Sequence, residues 1–279
     1  MVNEYKGPRS KYYFYIGGTV FAFIVLIPLY ILVIIAFGAP SQTLGAYYPM
    51  LLPTKFTLEN LHNAFTGYGL VLLSAFYKSL ETAFIVASLA VLLGFHAAYG
   101  LNKMPYKYSN MILALLFFST MIPSLTIAIP ISTIFIKIGL YDSALGLALA
   151  QELVVLPLTV FLITGAFEAI PRTLEYQARV DGATFSQALY KVIFPLALPG
   201  IVSAFLLSWL MSWDEFTFAV ILSPVHPTLP ILIYLQSTAR GDILTGTVFS
   251  LLVTIPVIIL TVILSKFIRG SYLSAGITG

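Results

Sequence analysis

The chain has 279 residues, of which 59% are hydrophobic and only 9% charged, with a mean hydropathy of +0.97 and no cysteine. A soluble domain carries about 25% charged residues, so a water-soluble globule is excluded and most of the chain belongs in a bilayer. The net charge of +3 is too small and too scattered to argue for nucleic acid, and the lack of cysteine excludes disulfides, thiolate metal sites and cysteine nucleophiles.

Apolar stretches at about 13–37, 82–101, 111–135, 144–167, 198–222 and 243–267 are each long enough to cross a hydrocarbon core of about 30 Å. They predict an all-α integral membrane protein with six transmembrane helices in a single domain, 1–279. Pro28, Pro123, Pro130, Pro157 and Pro256 interrupt them without changing the count, because neighbouring helices can satisfy freed carbonyls. The first span follows Lys6, Arg9 and Lys11, but its apolar run exceeds the roughly 7–15 residues of a signal-peptide core, so it reads as an uncleaved helix. With the N-terminus inside, Lys6, Arg9, Lys11, Lys103, Lys107, Arg172, Arg179, Lys191, Lys266 and Arg269 fall on the cytoplasmic side and Lys55, Lys78, Lys137 and Arg240 outside. Basic residues are retained inside, so both termini are expected to be cytoplasmic.

Two connections exceed a turn. The outer one, Gly38 to Lys78, is too short for a domain and is expected to form a cap over the bundle. The cytoplasmic one, about 168–195, concentrates Glu168, Arg172, Glu175, Arg179, Asp181 and Lys191 within a short stretch. Pro171 and Thr173 open a short helix with Glu175 in its first turn, where a carboxylate suits the helix dipole. Asp181-Gly182 reads as a turn, and Thr184 with Gln187 forms a capping-box pattern that starts a second helix, which Pro195 and Pro199 are expected to end. The result is a helix–turn–helix elbow with a glycine corner where another backbone can approach closely. It is either a plain connector or a docking element, and connections this charged and this heavily capped favour the second.

Within it, Leu174-Glu175-Tyr176-Gln177-Ala178-Arg179-Val180-Asp181-Gly182-Ala183, followed by Val192, Phe194 and Pro195, resembles the EAA loop of ATP-binding-cassette (ABC) importer permeases. The spacing from Gly182 to Pro195 fits that pattern without a gap, while Tyr176 and Gln177 stand where the family usually has Glu and the first Ala. Phe56-Thr57-Leu58-Glu59-Asn60-Leu61, Trp213-Asp214-Glu215-Phe216 and Ser274-Ala275-Gly276-Ile277-Thr278-Gly279 are similar to segments of the carbohydrate-importer branch, the maltose-type permeases. The resemblance implies the type I importer permease fold in a multi-pass cell-membrane protein. It also implies a second permease subunit, two ATPase subunits, an extracellular solute-binding protein and a sugar substrate, with ATPase docking by Glu175, Tyr176, Gln177, Ala178, Arg179, Asp181, Gly182, Ala183 and Thr184.

Ionisable groups inside a bilayer are costly and line a cavity or pair with each other. Glu152, Asp214 and Glu215 are expected to share one layer roughly 12–14 Å below the outer surface. Ser208, Ser212 and Glu215 fall on one helical stripe, with Trp209, Trp213 and Phe216 beside it. Carboxylates next to aromatic rings suit a sugar, whose hydroxyls need acceptors and whose C–H faces need flat apolar surfaces. Glu152, Ser208, Trp209, Ser212, Trp213, Asp214 and Glu215 are therefore candidate pathway residues, with Glu215 favoured over Asp214 to point inward; a closed network between helices is the alternative. His62 and His226 fall in outer loops and His96 stands alone, so no metal or catalytic set is expected. No Gly-x-x-x-x-Gly-Lys-[Ser/Thr] run is present, so ATP must be hydrolysed by another polypeptide; the resemblance implies a transport subunit and not an enzyme, with ATP and Mg on the partner ATPase. A permease for polyamine or another non-sugar solute, a stand-alone secondary transporter and a membrane enzyme are the competing readings.

Overall fold

The computed structural model describes residues 8–43, 52 and 55–275, with side chains at 12–13, 15–43, 52 and 55–266. Lys6, most of 44–54 and Gly276 to Gly279 lie outside the described residues, as do the side chains of Arg9, Lys11 and Arg269.

α1 (Pro8–Phe37) is followed by one turn, α2 (Pro40–Thr43), and then by α3 (Glu59–Lys103). The 45 residues of α3 correct the expected second span at 82–101 and the outer cap, because Glu59 to Lys78 is helical. This stretch contains no proline and opens with Glu59 at the favourable end of the helix dipole. Its polar residues hide it from a search for apolar runs. The expected span at 111–135 is in fact two helices, α4 (Tyr106–Ser119) and α5 (Ser124–Ile138), bent by 79°. Pro123 disfavours helical geometry at Ile122, and the chain turns there.

α6 (Ala144–Glu168) matches its predicted span and is capped by Ser143, whose hydroxyl accepts the Gly146 N–H at 3.0 Å. α7 (Arg172–Val180) and α8 (Phe185–Gln187) form the elbow, and a π-helical stretch, Ala188–Ile193, leads into α9 (Phe194–Trp213). The prolines do not stop this helix as expected. The π turn, in which the Phe194 N–H bonds to the Leu189 carbonyl, displaces the hydrogen-bond ladder just before Pro195. The fifth span then breaks at Asp214 to Phe216 before α10 (Thr217–Leu222). α11 (Leu229–Tyr234), a second π stretch (Leu235–Ala239) and α12 (Ile243–Ala275) complete the described chain. Among the described residues, five helices are long and apolar enough to cross a membrane, and α4 with α5 makes a sixth if the bent pair is one span.

The chain divides into two compact units, Met1–Leu70 with Ile233–Val253, and Val71–Leu232 with Thr254–Gly279. In the first, α1 is apolar on every side and exposed from Tyr15 to Tyr30, the composition of a lipid-facing helix. Its end is tied down by the buried Asn60 amide, which donates to the carbonyls of Ile35 and Gly38 at 3.0 and 2.9 Å. In the second, α6 packs antiparallel to α9 over a core that includes Phe95, Val160, Ile163, Phe167, Ile193 and Ile201. The crossing is close: a Cβ on Gly200 would lie 2.4 Å from Ala166 Cβ. Small residues at such a crossing let the backbones approach.

Gly200→Val is therefore expected to lower the thermal unfolding midpoint of the purified protein, with an overpacking cost of about 1–3 kcal/mol. Gly165→Ala, on α6 but facing open space, should not lower it.

Candidate functional site

The elbow is built by local caps on both sides of its corner. α7 ends at Asp181, and Gly182 takes φ +90°, a left-handed conformation that L side chains rarely adopt. The Gly182 N–H donates to the Arg179 carbonyl at 3.2 Å and the Ala183 N–H to the Ala178 carbonyl at 3.0 Å, the Schellman pattern. Across the corner, the Thr184 hydroxyl accepts the Gln187 N–H while the Gln187 side chain accepts the Thr184 N–H, so the predicted capping box is formed. Tyr176, Gln177, Arg179, Asp181, Gly182 and Thr184 are exposed, as is Val180 with 87% of its surface open, and Ala178 and Ala183 are half-buried. A shallow groove runs along Thr173, Tyr176, Gln177, Val180 and Asp181.

Glu175 departs from the predicted docking set, since it is buried and faces inward. Its carboxylate accepts the Tyr99 hydroxyl at 2.9 Å and pairs with Lys103 at the end of α3. The Arg172 guanidinium donates to the Asn102 carbonyl at 2.7 Å. Tyr99, Asn102 and Lys103 carried no sequence signal, because their partners lie about seventy residues away.

The expected polar stripe on the fifth span turns toward α6. Ser208 and Thr159 share a hydrogen bond at 2.7 Å, and the Ser212 hydroxyl donates to Gln151 at 2.5 Å. Gln151 also reaches the Glu215 carboxylate at 3.5 Å. Glu215 caps α10 by accepting the N–H groups of Phe218 and Ala219 at 2.7 and 3.1 Å. That corrects the expectation that Glu215, and not its neighbour, is free to point inward, since Asp214 is the exposed member of the pair. Trp209 and Trp213 stack at 4.8 Å and are buried against Phe84 and Phe76. Glu152 is sealed inside, and neither of its carboxylate oxygens has a hydrogen-bond partner. Gln151 was missed because an amide one position from a carboxylate attracts no attention in an apolar run.

Residues 90–272 match the family described as the binding-protein-dependent transport system inner membrane component, which is more than half of the chain. The chain belongs to that family. Similar proteins include the inner membrane ABC transporter permease protein YcjP of Escherichia coli, 28% identical over 98% of this chain and 99% of that protein. The trehalose transport system permease protein SugB of Mycobacterium tuberculosis is 31% identical over 82% of this chain and 85% of its own length. Among solved structures, a chain of a bacterial ABC transporter that imports the acidic polysaccharide alginate superposes with a TM-score of 0.70 at 18% identity, covering 95% of this chain and 99% of that one. The fold is thus that of ABC type I importer permeases, and the protein is a multi-pass inner-membrane transport component and not an enzyme.

This permease also carries a polar clasp at the end of its second unit opposite the elbow. Lys78 on α3 donates to the Asp142 carbonyl and carboxylate at 2.9 and 3.3 Å, and the His226 backbone N–H and imidazole donate to the same carboxylate. Asp142 sits at φ +57° between α5 and α6, a conformation that Asp tolerates better than most residues. Burial by itself raises its carboxyl pKa, but the hydrogen bonds from His226 and the charge of Lys78 outweigh it and hold the group below its ordinary value. A carboxyl so lowered stabilises the fold above its unfolded value of about 3.9, and the contribution is lost as pH falls through the folded value. Unfolding midpoints measured from pH 6 down to pH 3 should therefore fall more steeply for the wild type than for Asp142→Asn, which starts lower by about 1–3 kcal/mol through the lost charged partner of Lys78.

Proposed function

We propose that this chain is a permease subunit of an ATP-driven, binding-protein-dependent sugar importer, for a di- or oligosaccharide. It lines the translocation pathway with a second permease, receives solute from an extracellular binding protein and docks on ATPase subunits through the elbow. The observation that carries the sugar class is the 31% identity to a trehalose permease over most of both chains. A trehalose/maltose transport system permease of Thermococcus litoralis, 26% identical over 95% of each chain, agrees with it. The whole of residues 1–279 acts as a single permease domain with both termini cytoplasmic. Supporting that orientation, Lys103, Arg172 and Arg179, all counted as cytoplasmic by charge, gather at the elbow end of α3.

The exposed face from Tyr176 to Thr184 combines apolar Val180 and Tyr176 with Arg179 and Asp181 around the glycine corner, a surface suited to a cleft on the ATPase. In the membrane layer, Asp214 is the acidic side chain that faces the solute path. A charge open to lipid would be costly, and Gln151, Ser212 and Glu215 are engaged with one another. The aromatic pair Trp209 and Trp213 and Glu152 are buried.

Docking is tested with Gly182→Leu. A Cβ at Gly182 meets no atom within 4 Å, so the leucine strains only the left-handed corner, by about 1–2 kcal/mol, and thrusts bulk toward the partner. The variant should insert in the membrane and pair with the second permease but lose co-purification with the ATPase or leave ATP hydrolysis unresponsive to solute. Assembly and uptake of a labelled disaccharide at the wild-type rate would sink the docking assignment.

A further inference from the structure

From its position at the inner end of α3, we infer that Tyr99 is a positioning residue that clamps the elbow to α3, so that movement of the elbow is passed to α3 as well as along the chain into α9. The inference rests on the permease reading and names the internal part that transmits the movement.

Four segments meet on this one buried side chain. The hydroxyl bonds to Glu175 of α7, and the ring packs edge-on against Phe167 at the end of α6, 5.8 Å between centroids, and against Phe185 of α8 at 5.5 Å. Its own helix supplies the rest: the Lys103 ammonium lies 5.0 Å over the ring and pairs with the second oxygen of Glu175, and Asn102 accepts the Arg172 guanidinium. One turn earlier, the His96 ring donates to the Leu92 carbonyl through Nδ1 at 2.8 Å and so accepts the Tyr190 hydroxyl at Nε2, 3.0 Å away in the π stretch. Phe95 stacks on the same Tyr190 ring.

The physical consequence is a second mechanical route. Without the clamp, a push on the exposed face of α7 reaches α6 through the short link at Ala169 to Pro171 and α9 through a glycine corner and a π turn, both places where a helix yields, and nothing ties it to α3. With it, the carboxylate of Glu175 is fixed by two donors one turn apart on α3, and charge-assisted bonds of this kind set direction as well as distance. The elbow and α3 then move as one rigid body. Glu175 therefore acts inside the permease and leaves the contact surface to Tyr176, Gln177, Arg179 and Asp181.

The test uses the complete transporter, with both permeases, the ATPase subunits and the binding protein, in proteoliposomes. Tyr99→Phe removes only the hydroxyl and keeps the ring packing, and Lys103→Met removes the second donor. Both should retain the ATPase in wild-type proportion and hydrolyse ATP at the basal wild-type rate. Solute moved per ATP, and stimulation of hydrolysis by solute-loaded binding protein, should fall about tenfold, equivalent to about 1.4 kcal/mol of lost coupling. Wild-type transport per ATP in both variants would overturn the inference by leaving Tyr99 a packing residue. Loss of the ATPase from either complex would overturn it by making the cluster part of the docking surface. A wild-type chain that never retains an ATPase would instead overturn the permease reading itself.

Discussion

Hydrocarbon offers no hydrogen-bond partners, so a polar group inside the bilayer must find one within the protein. That constraint decides how α6 and α9 meet. Thr159 with Ser208 and Gln151 with Ser212 close two rungs between antiparallel helices, and Gly200 against Ala166 brings their backbones close enough for the rungs to form. Hydrogen bonds of this kind contribute about 0.6–2 kcal/mol each in membranes, but they fix rotation and register in a way that apolar packing against lipid-like side chains does not. Because the elbow is the connection between these two helices, their register sets where the glycine corner projects.

Much of this was legible in the sequence, and what was legible is local. The capping box at Thr184 and Gln187, the turn at Asp181-Gly182 and the extent of α6 depend on residues within a turn of each other, and each formed as read. Longer-range features were hidden for definite reasons. Prolines were expected to end the second elbow helix, but a π turn before Pro195 let the helix run into the membrane. Pro123 was expected to be absorbed in a span and instead produced a sharp bend. The helical start of α3 is too polar to register as part of a span, although Glu59 and the Thr57 hydroxyl that accepts its N–H mark it locally, and the tie from Asn60 to the end of α1 anchors it.

The candidate site divides along the same line. Exposure on the elbow follows helical periodicity, so which of its side chains point outward is legible from spacing alone. The inward turn of Glu175 depends on Tyr99 and Lys103, which no local pattern connects to it. In the membrane layer, helical spacing placed Ser208 and Ser212 on one stripe but could not say which neighbour the stripe faces. The structure turns it to α6, binds Glu215 to the start of α10 and leaves Asp214 open. Glu152 is the exception that satisfies neither reading, a sealed carboxylate without a hydrogen-bond partner.

A chain without native cysteine allows single thiols to report which side of the membrane each end of the second unit occupies. Val180 on the elbow and Val225 beside the Asp142 clasp are 87% and 71% exposed, so a cysteine at either is open to reagent. The most direct measurement is labelling of Val180→Cys and Val225→Cys by a membrane-impermeant maleimide in spheroplasts and in inside-out vesicles. Val225→Cys should react in spheroplasts alone. Val180→Cys should react in inside-out vesicles alone, and should be protected there when the ATPase subunits are bound. Labelling of Val180→Cys in intact spheroplasts would contradict a cytoplasmic docking elbow, and with it the coupling of this permease to ATP hydrolysis.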